Sequence, residues 1–195
     1  MELEIRNKSG SLSSLGAGYD GGLLVSQAGG KYAEAARAGR LFSVANQAAV
    51  ATTANLNTTW TGLGVCNPTG SSKLLIIHEF AWALSVVGPA DGVLGLMTSS
   101  DTGFADSLTA KCAMNGAGSS VAYCDAGATI ATPILERVVS TYGTGAVTTW
   151  QGAGPQVCKI DGSIILPAGR SVMTYTFTAT TAAFIFSFLW EEVDA

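Results

Sequence analysis

The sequence predicts an all-β fold: an antiparallel β-sandwich, jelly-roll-like, entered through an extended N-terminal arm. Three observations carry that prediction. Residues 169–192 read GRSVMTYTFTATTAAFIFSFLWEE and alternate with period two. Met173, Tyr175, Phe177 and Ala179 share one face, Thr174, Thr176, Thr178 and Thr180 the other, and Phe184, Phe186, Phe188 and Trp190 share a face of the continuation. Such alternation marks a half-buried strand. Residues 73–87 (KLLIIHEFAWALSVV) form a second long run, apolar on both faces and β-branched at Ile76, Ile77, Val86 and Val87, as a central covered strand requires. Finally, about eight strand-like runs recur between Gly, Pro and Asp punctuation, the spacing of a sandwich.

Taken in order, residues 1–30 are the arm, small and repeatedly broken by Gly and Ser, and residues 31–195 are one β-sandwich domain. Gly16, Gly18 and Gly21 fit GxGxxG, but no strand precedes them and no βαβ unit surrounds them, so the reading is a flexible segment. KYAEAARAGR (31–40) predicts one or two helical turns ending at Gly39. Residues 41–72 contain no charged residue, which suits either a surface packed on another chain or strands and turns lying over the sandwich. In the 73–87 strand the even positions, Leu74 to Val86, are bulky and the odd ones small or mixed. Pro89 to Gly92 predicts a turn and 93–100 the returning strand. Residues 102–127 read as loop with short strands; 128–140 and 146–151 read as strands, with Pro133 marking an edge or bulge. Asp161-Gly162 predicts a hairpin turn between 157–160 and 163–166. A final turn near Thr180–Thr181 predicts a closing hairpin with Phe177 opposite Phe184, Tyr175 opposite Phe186 and Met173 opposite Phe188.

Composition narrows the function classes. Of the 195 residues only 12% are charged, and the net charge is −4. That is about half the usual ~25% charge, and a surface so poor in charge is commonly covered by partners. There is no basic cluster to meet phosphates, so nucleic acid is not an expected partner. The charged start MELEIR lacks an apolar core, so no signal peptide is expected. Residues 171–190 carry no charge but hold five Thr, which argues for strands and against a membrane span. Cys66, Cys112, Cys124 and Cys158 form no CxxC and are expected to be reduced and mostly buried; a Cys112–Cys124 disulfide is not inferable.

Each candidate site has a structural reading beside it. His78, the sole histidine, begins an HExxH-like run but lacks the second His, and His78 and Glu79 point to opposite faces of a strand. Its expected role is structural, in the core or a subunit interface. Asp91, Asp101, Asp106 and Asp125 do not match a calcium loop. Glu191 and Glu192 read as solvated charges at a strand edge. Trp60, Trp150 and Tyr142, if exposed in Gly/Thr-rich loops, would stack on sugars. No catalytic, metal or cofactor-binding residues are expected.

Two stretches, LFSVANQA (41–48) with TGLGVCNPTGS (61–71), and LPAGR (166–170) with the closing FLWEE (188–192), resemble tailed-bacteriophage virion structural proteins with a β-sandwich or jelly-roll body. Membership implies a non-enzymatic capsid cement or decoration protein. It would be made in the host cytoplasm, sit on the capsid surface and bind major capsid protein as a homo-oligomer, a trimer by family analogy. The alternative is a receptor- or glycan-binding virion module. On the first reading the uncharged Thr face of 174–180 is a wall for a second subunit, and Thr176→Lys is expected to disturb assembly more than folding.

Overall fold

A computed structural model describes residues 4–6, 12–14, 30–85, 91–100, 103–114, 118–142 and 156–195. The predicted GxGxxG segment, the 146–151 strand and Trp150 lie outside the described residues. The chain divides into two compact units, Met1–Glu34 and Ala35–Ala195. In the first, β1 (Glu4–Arg6) and β2 (Leu12–Ser14) pair antiparallel, with Glu4 opposite Ser14. A short helix, α1 (Ala33–Arg37), follows and ends as predicted: Gly39 adopts φ 69°, and the Arg40 amide donates to the Ala35 carbonyl at 2.9 Å.

The second unit is a sandwich of two antiparallel sheets. Its strands are β3 (Leu41–Ala45), β4 (Val50–Thr52), β5 (Thr59–Asn67), β6 (Lys73–Leu84), β7 (Gly92–Ser100), β8 (Lys111–Cys112), β9 (Tyr123–Thr129), β10 (Ala131–Tyr142), β11 (Gln156–Leu166), β12 (Arg170–Thr176) and β13 (Thr180–Asp194). One sheet runs β10-β7-β12-β5-β9, the other β11-β6-β13-β3-β8 with β4 on β13. No described helix is long and apolar enough to cross a membrane.

The all-β sandwich matches the prediction, but the strand partners do not. β12 and β13 are not a hairpin. β12 lies between β5 and β7 in one sheet, and β13 lies between β6 and β3 in the other. The aromatic face of β13 meets β6 instead: Phe184 opposes Leu84, Phe186 opposes Trp82 and Phe188 opposes Phe80. Phe80 stacks 5.8 Å from Phe186 and lies 5.0 Å from Phe188. Period-two alternation names a strand's face, not its neighbour. Four Cα steps from Thr176 to Thr180 reach about 13 Å or more, enough to cross the ~10 Å between packed sheets as well as to turn within one. Phe177, at this crossing, is 57% exposed. β7, expected to return beside β6, likewise lies in the opposite sheet.

The core sits between the sheets, where Leu63, Val65, Leu94, Leu96 and Val172 of the first face Phe80, Phe184, Phe186, Phe188 and Trp190 of the second. A second cluster, Trp60, Cys66, Met97, Phe104, Ile130, Met173 and Tyr175, covers the outer side of the five-stranded sheet. β12 is therefore apolar-packed on both sides and buried from Ser171 to Thr176. Part of the charge-free 41–72 stretch follows from the same cause: it supplies β3 and β5, which are largely buried inside their sheets, while residues 55–59 are exposed.

Two bulges overturn two further expectations. In β6 the register with β13 slips between Leu189 and Trp190, opposite Glu79 and Ile77 respectively, so His78 is the extra residue. The inward phase changes there: odd residues Leu75 and Ile77 are buried before it, even residues Phe80 and Trp82 after it. Asp161-Gly162 is not a hairpin turn. β11 runs through it as one strand, with Lys159 opposite Glu79 and Ile164 opposite Ile77. The positive φ values of Asp161 (50°) and Gly162 (77°) accommodate the inserted residues.

β9 and β10 stand at opposite edges of the same sheet yet are joined by Ile130 alone. Two Cα steps span at most about 7.6 Å, whereas five flat strands would hold their edges about 19 Å apart. The sheet is therefore rolled. The Ile130 amide donates to the Thr58 carbonyl at 2.8 Å, and Ser99 Oγ at the end of β7 donates to the Ala131 carbonyl. Ile130 itself is buried in the second cluster.

Candidate functional site

The residues singled out from sequence mostly hold the fold. His78 Nε2 lies 3.5 Å from Glu191 Oε2, and Arg40 Nη2 lies 3.2 Å from Glu191 Oε1. Glu79 pairs instead with Lys159 of β11. His78 and Glu79 thus face different partners, Glu191 and Lys159.

Glu192 is not a solvated edge charge, because β13 is a central strand. Its carboxylate is 4% exposed. It accepts from Ser120 Oγ at 2.5 Å, from the Val121 amide at 3.2 Å and from Trp190 Nε1 at 3.2 Å. Asp125, also buried, accepts from the Ala105 amide at 2.9 Å and from Ser107 Oγ at 2.5 Å. Asp106 accepts from the Cys124 amide at 3.0 Å. Together the three carboxylates tie residues 105–107 to β9 and residues 120–121 to β13.

Of the four aspartates weighed for calcium, Asp106 and Asp125 come together, Asp91 lies at the other end of β7, and Asp101 is outside the described residues. Among the described residues no cluster of three or more His, Cys, Asp or Glu could hold a metal. The four cysteines are free. Burial and the nearby Asp106 and Glu192 carboxylates push the Cys124 thiol far above its ordinary range, so it stays protonated at neutral pH.

Of the aromatic sugar platforms, the two among the described residues, Trp60 and Tyr142, are not available. Trp60 is buried, donates from Nε1 to the Thr174 carbonyl at 2.8 Å and stacks on Phe104. Tyr142 is buried edge-on against Phe184, with its hydroxyl donating to the Thr178 carbonyl at 3.0 Å. Nor is the Thr face of β12 a subunit wall. Thr174 Oγ1 accepts from the Leu63 amide at 3.1 Å, and Thr176 Oγ1 is held by Thr52 and Thr53.

The surface feature that stands out was missed in the sequence. Ile134 (64% exposed), Leu135, Val138 (60%), Val157 and Ile165 are large, apolar and exposed, and all five lie on β10 and β11, the two edge strands of one flank. Between these strands opens a cleft of about 330 Å³. Ile134 and Ile165 are on its rim, Ile164 and Leu166 on its floor, and Glu136 and Arg170 at its sides. Arg137 Nη2 reaches across to Ser163 Oγ at 2.9 Å and ties the strands together. The sequence signal was present in Pro133 and the Glu136-Arg137 pair within an apolar run, both edge-strand devices.

Exposed hydrophobic residues on an edge strand invite strand addition, but these edges are blocked. β10 slips register three times against β7, carries Thr132 at φ 40° and lacks an amide hydrogen at Pro133. β11 has the Asp161-Gly162 bulge. These bulges interrupt the regular main chain along both strands, which disfavours strand addition and leaves side chains as the main means of contact.

Neither a protein-family model, nor a curated protein, nor a solved structure matches the chain.

Proposed function

We propose that this chain is a non-catalytic structural subunit that acts by surface contact: a capsid decoration or cement protein of a tailed-phage virion, binding major capsid subunits and copies of itself. The observation that supports a contact role is the distribution of side chains. Buried carboxylates and hydroxyls are spent on the protein's own main chain, while five large exposed apolar residues, Ile134, Leu135, Val138, Val157 and Ile165, lie together on β10 and β11. The phage assignment rests on the resemblance of residues 41–48, 61–71, 166–170 and 188–192.

Co-sedimentation with undecorated phage capsids tests the reading. The protein is expected to pellet saturably with capsids, and a variant lacking residues 1–30 to lose binding while its denaturation midpoint stays unchanged. Full-length protein that stays in the supernatant at all capsid concentrations would sink the proposal.

A further inference from the structure

We infer that the β10/β11 flank is a self-association surface that docks a second copy of this chain across a twofold axis. This deepens the structural-subunit reading, rests on it, and puts a twofold pair in place of the trimer that the resemblance implies.

Size comes first. Strands of 12 and 11 residues are about 35–40 Å long at ~3.3 Å per residue. Two sheet edges ~10 Å apart, with a side chain's width on either side, make a strip about 20 Å wide. The flank thus offers on the order of 700 Å², close to the ~800 Å² that each partner gives a stable interface.

Chemistry comes next. The centre is apolar, with Ile134 and Ile165 lining the cleft and Val138 exposed further along β10. Its margin carries both signs of charge, Glu136 and Asp161 against Arg137, Lys159 and Arg170. A twofold contact places one patch against itself, so it must be self-complementary. An apolar centre ringed by mixed charge satisfies this, and a single-sign rim would repel its own copy. The blocked edges remove the competing occupant, an extended peptide added as a strand.

Light scattering on the full chain, with and without Ile134→Ser plus Val138→Lys, tests this. Both positions are more than half exposed, so the double variant is expected to fold. The wild type is expected at the mass of two chains and the double variant at one. Single-chain wild type, a three-chain mass, or a two-chain mass unchanged in the variant would each overturn the inference. If the double variant melts early, Val138→Lys alone serves. It should raise the dissociation constant at least tenfold, and an unchanged constant overturns the inference. Capsid co-sedimentation in parallel separates the two proposals: a monomer that still binds capsids refutes self-docking alone.

Discussion

Thr176 and Thr180 are four residues apart, belong to different sheets, and meet at one hydroxyl, that of Thr52. Thr176 Oγ1 donates to Thr52 Oγ1 at 2.8 Å, and Thr52 Oγ1 lies 2.8 Å from Thr180 Oγ1. The three hydroxyls clasp the point where the chain leaves one sheet for the other, and all three residues are buried. The alternating Thr face, expected from sequence to be a wall for a second subunit, is therefore internal wiring at Thr176 and Thr180.

Thr176→Lys should consequently act on folding, reversing the expectation from sequence. A buried ammonium with no carboxylate partner costs several kcal/mol, and Thr52→Val, which removes only the shared hydroxyl, about 1–3 kcal/mol. Urea denaturation checks both. A Thr176→Lys midpoint equal to wild type would place that side chain in water.

Gly103→Ala should destabilise by roughly 1–3 kcal/mol, because a Cβ there would overlap the Thr129 carbonyl. That contact lies where the rolled sheet brings β9 to β10, and main-chain atoms there cannot step aside as a side-chain tip can. Thermal melting of the variant measures it; an unchanged transition would mean the roll is loose.

Glu192→Gln preserves shape but turns an amide toward donors. Ser120 Oγ, the Val121 amide and Trp190 Nε1 all donate to the carboxylate, and a Gln side chain supplies one acceptor where two stood. The expected cost is about 1–3 kcal/mol, with faster hydrogen exchange at Val121 and Ala122. Exchange rates matching wild type at those amides would show that the loop is held by other means.

Stability should fall on the alkaline side through Cys124. Its thiol is raised in the folded state by burial, then by Asp106 and Glu192. Below the ordinary thiol range both states are protonated and nothing is lost. Above about pH 9 the unfolded chain ionises while the native thiol holds its proton, so the native state binds more protons and stability drops as pH rises. Tyr142, raised mainly by burial, adds to the decline at higher pH. Cys124→Ala should flatten the first part of that limb in denaturation midpoints taken from pH 8 to 11. An equally steep limb in the variant would assign it elsewhere. Native-state labelling should modify Cys112 and Cys158 before the buried Cys66 and Cys124.

Local information was legible wherever a residue's own chemistry sufficed. The β6 run, the β13 aromatic face, the Gly39 helix stop and the edge character of Pro133 could all be read directly, because strand period, cap geometry and a missing amide hydrogen are local properties. Asp161-Gly162 was legible as a place of positive φ but not as a bulge, since a turn and a bulge ask the same of the backbone. Glu192 could not be read as buried, because its partners Ser120 and Val121 lie about seventy positions away.

What the sequence determined by itself was class: a β-sandwich with apolar strands and little charge to spend on its surface. Only the tertiary structure decided which strands are neighbours, and so which faces meet water. Period-two alternation is degenerate in partner choice, and three linking residues can turn within a sheet or cross between two. Long-range packing broke the tie. It set the Phe184–Phe188 face on β6, closed β9 onto β10 through Ile130, and left Ile134, Val138 and Ile165 exposed on a flank that no periodicity marks.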